Sequence, residues 1–254
     1  MLRLIPERAP LSILCLGAHS DDIEIGAGGA LLTLLARHPG SRVRWVVFSA
    51  TAARADEAQA SARSFLADAA SSRIDLHEVR DGFFPAAFAD LKEMFEALKR
   101  EEAPDLILTH AREDHHQDHR QLAELTWNTW RDHLVLGYEI PKYDPDLGNP
   151  GVFVPLEAEV AARKVALLME HFATQRSRRW FVPETFFGLL RLRGLQAAAP
   201  SGMAEAFYGP KLWLCPSPGA SRHPLPHVGE GKVTRSLSCI SLSRLRERVA
   251  RSAG

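Results

Sequence analysis

The chain of 254 residues reads as α/β, a single domain on a doubly wound, mostly parallel sheet. Two observations predict this. Short apolar runs alternate with longer stretches of helical spacing through the first half. Two dense polar clusters each begin where one of those runs ends, as ligand sites do at the carboxyl ends of parallel strands. The length suits one core of ordinary size.

The strand-like runs are 12–18 (SILCLGA), 43–48 (VRWVVF), 74–79 (IDLHEV) and 106–109 (LILT). Between them, 25–37, 55–70 and 87–102 carry apolar residues at helical spacing. Strand–helix alternation of this kind closes into a parallel sheet with right-handed crossovers, a Rossmann-like arrangement. Residues 133–140 (HLVLGYEI) read as a further strand, 141–155 as a Pro-, Gly- and Asp-rich surface excursion, and 156–172 and 184–195 as two more helices.

The domain is expected to span 1–215. After Cys215 the segment PSPGASRHPLPHVGEG is full of chain breakers, and from Ser221 onward seven Lys or Arg stand against two acids. A poorly ordered tail, 216–254, is the expectation; a helix over 241–251 is the ordered alternative.

Thirty-one basic residues balance thirty-one acidic ones, which gives no footprint for a nucleic acid or an anionic membrane surface. Cys15, Cys215 and Cys239 are odd in number and far apart, so they form neither a disulfide framework nor a Cys-x-x-Cys site. The opening MLRLIPERAP lacks the apolar stretch of a signal peptide, and no run reaches transmembrane length; a cytoplasmic home is expected.

The first polar cluster is AHSDDIEIGAGG, residues 18–29; the second is HAREDHHQDH, residues 110–119, which holds four of the eleven histidines. In a sheet of order 3-2-1-4 the first and fourth strands are neighbours, so both clusters converge on one crevice. Taken singly, an Asp-Asp pair before a helix is an ordinary N-cap, and a His-rich turn an ordinary solvated loop. Their joint placement at adjacent strand ends is what argues for a site.

The residue types suit zinc, which takes three nitrogen or oxygen ligands in a catalytic site and leaves a fourth position for water. His116 and His119, three apart, share a helix face. Asp21 and Asp22 point in different directions, so one can ligate while the other takes a proton from water as general base. Spacing does not separate Asp21 from Asp22, or His116 from His119. Gly26, Gly28 and Gly29 lack the G-x-G-x-x-G spacing of a dinucleotide turn, and the two acids would repel a pyrophosphate there. Close packing of the first helix is the better reading of these glycines.

AHSDDIEIGAGG resembles the AHPDDE-type motif of the PIG-L/LmbE-like zinc-dependent N-acetylglucosamine deacetylases, and DHHQDH resembles their Asp-x-His-x-Asp-His motif. The likeness extends over about residues 12–209. It implies a Rossmann-like fold, zinc with ferrous iron as the alternative metal, and removal of an N-acetyl group from an amino sugar or sugar conjugate. By motif position it implies His19, Asp22 and His119 as metal ligands, Asp21 as general base and His116 as oxyanion partner or acid. Asp114 would orient a histidine. Ser20 stands where the motif has proline; Ile23 stands where it has Glu, with Glu24 one residue later.

Looser matches are Arg54 to Glu57 (Arg-x-x-Glu), Thr174-Gln175 (Ser-Gln), Arg193-Gly194 and Ala204 to Phe207 (Ala-Glu-Ala-Phe). They put Arg54, Arg193 and Glu205 near the pocket as supporting or substrate-binding residues. The alternatives are a metal amidohydrolase acting on a non-sugar amide, and a non-catalytic Rossmann-like binding module. The expected partner is a small N-acetylated sugar or conjugate; whether the chain forms a homo-oligomer stays open.

Overall fold

The structure is a computed structural model and describes residues 10–101 and 103–211. Cys215, Cys239, the expected tail 216–254 and its alternative helix lie outside the described residues.

Seven strands form one sheet: β1 (Ser12–His19), β2 (Arg42–Ser49), β3 (Ser71–Leu76), β4 (Leu106–His110), β5 (Val135–Tyr138), β6 (Val152–Pro155) and β7 (Ala204–Tyr208). Their order is β3-β2-β1-β4-β5-β7-β6. The first five are parallel; β7 runs antiparallel to both β5 and β6. The predicted order 3-2-1-4 is thus embedded in a wider sheet.

β1 and β4 are buried along their whole length. That is why they read as continuous apolar runs: a central parallel strand is covered on both faces. β3 begins earlier than the expected 74–79. It is an edge strand, and its exposed residues Ser71 to Arg73 carry no apolar signal. β6 lies inside the stretch read as a plain excursion, and β7 was not foreseen; both are short.

Among the described residues six helices cover the sheet: α1 (Asp22–Arg37), α2 (Ala52–Phe65), α3 (Phe88–Glu101), α4 (Gln117–Thr129), α5 (Ala158–His171) and α6 (Pro183–Gln196). α3 and α4 pack together on one face, and α1, α2, α5 and α6 associate on the other. In α3, Leu91, Phe95 and Leu98 are buried at spacings of four and three. They meet Leu14, Leu16, Phe48, Leu122 and Trp130 in a core across β1 and β2. α2 stops at Phe65, short of the expected 70, because the chain turns through 66–70, where Ala69 N–H donates to Leu66 C=O. Among the described residues, no helix is long and apolar enough to cross a membrane.

α1 sits unusually close to its neighbours, and its glycines explain how. A Cβ on Gly26 would lie 2.2 Å from the Tyr138 ring, and one on Gly28 would lie 2.6 Å from the Phe65 ring. Tyr138 in turn donates from its hydroxyl to Leu16 C=O at 2.7 Å. The glycine run therefore seats α1 on β5 and against α2, which fixes the helix that carries the first polar cluster. Gly26→Ala should overpack this contact and cost about 1–3 kcal/mol. At about 2–4 °C for each kcal/mol in a chain of this size, the loss should appear as a lower melting temperature by thermal denaturation.

Candidate metal centre

His19 is the last residue of β1, and Asp21 and Asp22 open α1. His110 ends β4; after a five-residue turn, His116 caps α4, and its Nδ1 accepts from Asp118 N–H at 3.3 Å. Because β1 and β4 are neighbours, the two turns meet at one edge of the sheet.

Three donor atoms converge there. His19 Nδ1 is 3.4 Å from Asp22 Oδ2 and 3.2 Å from His119 Nε2, and that nitrogen is 3.5 Å from the same Asp22 oxygen. Ligands at the usual zinc–nitrogen and zinc–oxygen bond lengths define a tetrahedron whose edge is about 3.3–3.5 Å. The triangle formed by His19, Asp22 and His119 is therefore one face of such a tetrahedron. All three side chains are buried, so a cation held there is exposed only on the remaining side.

The far nitrogens are engaged as a metal site requires. His119 Nδ1 is 2.9 Å from Asp114 Oδ2. An ionised carboxylate only accepts, so the proton sits on Nδ1 and the Nε2 lone pair points inward. Burial and the neighbouring His110 lower the His119 pKa to about 4, which leaves it neutral and able to ligate. His19 Nε2 faces Asp118 Oδ2 at 3.3 Å and Asp81 Oδ1 at 3.1 Å. Burial opposes a charge on His19, but Asp118, Asp22 and Asp81 together outweigh it and hold its pKa well above the ordinary value. The cluster thus has a surplus of negative charge that retains a cation, and the residues present fit a divalent metal.

His116 is half-buried, its ring stacked 4.5 Å from that of His119. It also forms a possible donor triangle with His19 and His119, yet it is the more open of the three. Burial and the nearby His19 depress its pKa. His110 stacks beneath His119 at 3.9 Å, with Nε2 3.2 Å from Asp22 Oδ2.

Asp21 is engaged by Arg54, whose Nη2 donates to Oδ1 at 2.8 Å. Burial raises the Asp21 pKa, with Arg54 pulling against it and Asp22 adding to it. The carboxylate is thereby a stronger proton acceptor than an exposed one.

Asp81 and Asp118 were not singled out by sequence reasoning. Asp118 is fully buried and accepts Gly82 N–H at 2.6 Å and Phe84 N–H at 3.1 Å besides facing His19. It pins the loop between β3 and α3, where Gly82 adopts a φ of +79° and Asp81 is brought over His19. Only the acid's place directly before His119 hinted at this. On the other side, Lys142 Nζ is 3.1 Å from Asp114 Oδ1, and Asp146 accepts His115 N–H at 2.8 Å, so the excursion after β5 is tied to the second cluster.

Other predicted residues go elsewhere. Arg193 forms a two-pronged pair with Glu139 at 2.8 and 2.6 Å and donates to Gly148 C=O. Glu205 pairs with Lys164 and with α1. Glu24 is fully buried, and burial, little offset by Ser61, raises its pKa well above the ordinary value. Two loosely matched segments do meet: Glu57 accepts from both the N–H and the hydroxyl of Thr174.

Residues 14–130 match the family model PIG-L, described as GlcNAc-PI de-N-acetylase. No curated protein matches the chain. Among solved structures, the chain is similar to N,N'-diacetylchitobiose deacetylase from Pyrococcus horikoshii, with 18% identity over 77% of this chain and 82% of that one, at TM-score 0.59. It is similar to the zinc-inhibited form of teicoplanin deacetylase, with 14% identity over 78% and 97% of the two chains, at TM-score 0.62. It is also similar to 4-carboxy-2-hydroxymuconate hydratase from Pseudomonas putida KT2440, with 18% identity over 88% and 100%, at TM-score 0.59. At these identities the structural likeness establishes the fold. The matched stretch, a PIG-L family domain by that likeness, holds His19, Asp21, Asp22, Asp114, His116 and His119.

Proposed function

We propose that this protein is a zinc-dependent N-deacetylase that hydrolyses the acetamide of an amino sugar or sugar conjugate to acetate and a free amine. The observation that carries the reading is the triangle of His19 Nδ1, Asp22 Oδ2 and His119 Nε2 with edges of 3.2–3.5 Å, beside the separate carboxylate of Asp21. The family description and the deacetylases among the structural neighbours support the reaction class. Ferrous iron would suit the same donors. A cytoplasmic site of action belongs to this reading.

A zinc ion held by His19, Asp22 and His119 would lower the pKa of water beside it to about 7 and polarise the amide carbonyl. Asp21 is the base that takes the proton from the attacking water. Arg54, on Asp21 Oδ1, keeps that carboxylate oriented while burial raises its basicity. The water oxygen bonds to the acetyl carbon, the carbon–nitrogen bond breaks, and the proton passes to the departing amine. His116, half-buried at the start of α4, faces the developing oxyanion and assists that departure. Asp114 and Asp118 hold the two ligating imidazoles in the required tautomers. A binding module that does no chemistry would have no use for a separate base with its own guanidinium partner.

A panel of N-acetylated sugars, free, phosphorylated and nucleotide- or lipid-linked, should contain a substrate from which the zinc-loaded protein releases acetate and the metal-free protein does not. Release from none of them, with turnover of a non-sugar amide or addition of water to an unsaturated acid instead, would sink the sugar assignment. Asp21→Asn should lower kcat by about 10²- to 10⁴-fold while the zinc content stays at the wild-type level. Asp118→Asn should weaken zinc binding by about 10- to 100-fold, measured by competition with a chromophoric chelator.

A further inference from the structure

α1 carries both acids of the site on its first turn, which closes with Ile25 N–H donating to Asp21 C=O at 3.0 Å. One turn later the backbone is served by side chains from elsewhere. Lys164 of α5 donates from Nζ to Ile25 C=O at 2.6 Å. Glu205 of β7 accepts Gly29 N–H at 2.8 Å and Ala30 N–H at 2.6 Å. A regular α-helix would direct those two N–H groups to the carbonyls of Ile25 and Gly26. Lys164 and Glu205 are bonded to each other at 2.5 Å, and both are almost wholly buried.

An apolar pair of the same volume would fill this space at equal or lower cost, since removing two charges from water is expensive. What an apolar pair cannot do is take backbone donors and acceptors. Gly29 makes the approach feasible, because a Cβ there would lie 3.0 Å from Glu205 Oε1 and 2.5 Å from Leu156 Cδ1. Ile25, Gly26, Lys164 and Glu205 also border a cavity of about 20 Å³, room for one water beside the pair.

We propose that Lys164 and Glu205 are positioning residues: spliced into α1 between its first and second turns, they set the tilt of the turn that carries Asp21 and Asp22. On the strand side that turn is held by Asp22 Oδ2, which accepts His19 N–H at 2.7 Å. With the pair in place, the Asp22 oxygen stands at the edge lengths found against His19 and His119. Without it the first turn loses these side-chain holds and shifts relative to the end of β4. The inference rests on the reading of Asp22 as a metal ligand, and its test involves no substrate.

The test is zinc affinity by chelator competition, together with the visible spectrum of the cobalt-substituted protein, which reports ligand geometry. Lys164→Met/Glu205→Leu removes both charges, so no orphan ion is left buried. It should keep the circular dichroism of the wild type, bind zinc about 10- to 100-fold more weakly and shift the cobalt bands. Lys164→Arg, which keeps the charge and a donor for Ile25, should stay within about threefold of the wild type, below that range. Wild-type zinc affinity and an unchanged cobalt spectrum in the folded double variant would overturn the proposal. If the double variant does not fold, Glu205→Gln decides. It is isosteric, can accept only one of the two amides well, and should weaken zinc by roughly tenfold; wild-type affinity in it would overturn the proposal too. Asp22→Asn separates the two readings: undiminished zinc binding there refutes the ligand assignment itself, whereas absence of acetate release bears on the reaction alone.

Discussion

β1 and β4 lie side by side and run the same way, so both turns that follow them emerge at one edge of the sheet. Everything at the site depends on this. His19 reaches the triangle as the last residue of β1, and His119 reaches it one helical turn into α4. Neither segment could assemble a three-atom donor set alone. The remainder of the fold serves that adjacency: the core between β1, β2, α3 and α4 on one face, and the glycine-lined seat of α1 on the other.

The site is also a problem in charge. Asp21, Asp22, Asp114 and Asp118 are all buried around the site, with Asp81 at the rim. Burial alone would protonate such a group of carboxylates. The chain answers with separate partners: Arg54 for Asp21, Lys142 for Asp114, backbone amides for Asp118. Asp22 accepts the His19 N–H and otherwise faces imidazoles, from His19, His110 and His119. A cation bound at the triangle would be its natural counter-charge.

What was legible in the sequence follows from the same physics. The central strands announced themselves because burial on both faces leaves an unbroken apolar run; β3, β6 and β7 did not, since edge and short antiparallel strands mix exposed and buried residues. That His19, Asp22 and His119 would meet was legible from their place after strands one and four joined to the motif, while spacing alone did not separate Asp22 from Asp21 or His119 from His116. Asp81 could not have been found, because only the Gly82 turn and its anchor on Asp118 bring it over His19. Arg193 and Glu205 were placed near the pocket by sequence resemblance; each is bound into another buried ion pair, and only their three-dimensional partners reveal it.

Asp118 has two duties that cannot be tuned apart. The same carboxylate that faces the imidazole of His19 also holds the amides of Gly82 and Phe84, and with them one wall of the crevice. A change that reshapes this wall therefore tugs on the His19 imidazole, and a change that adjusts that imidazole moves the wall. Variation in substrate choice should accordingly be concentrated on the opposite rim. There the excursion after β5 is fastened through Lys142 and Asp146 to Asp114 and His115, one bond further from the donor atoms. A designer who wants a new substrate without a weakened centre would start from that side.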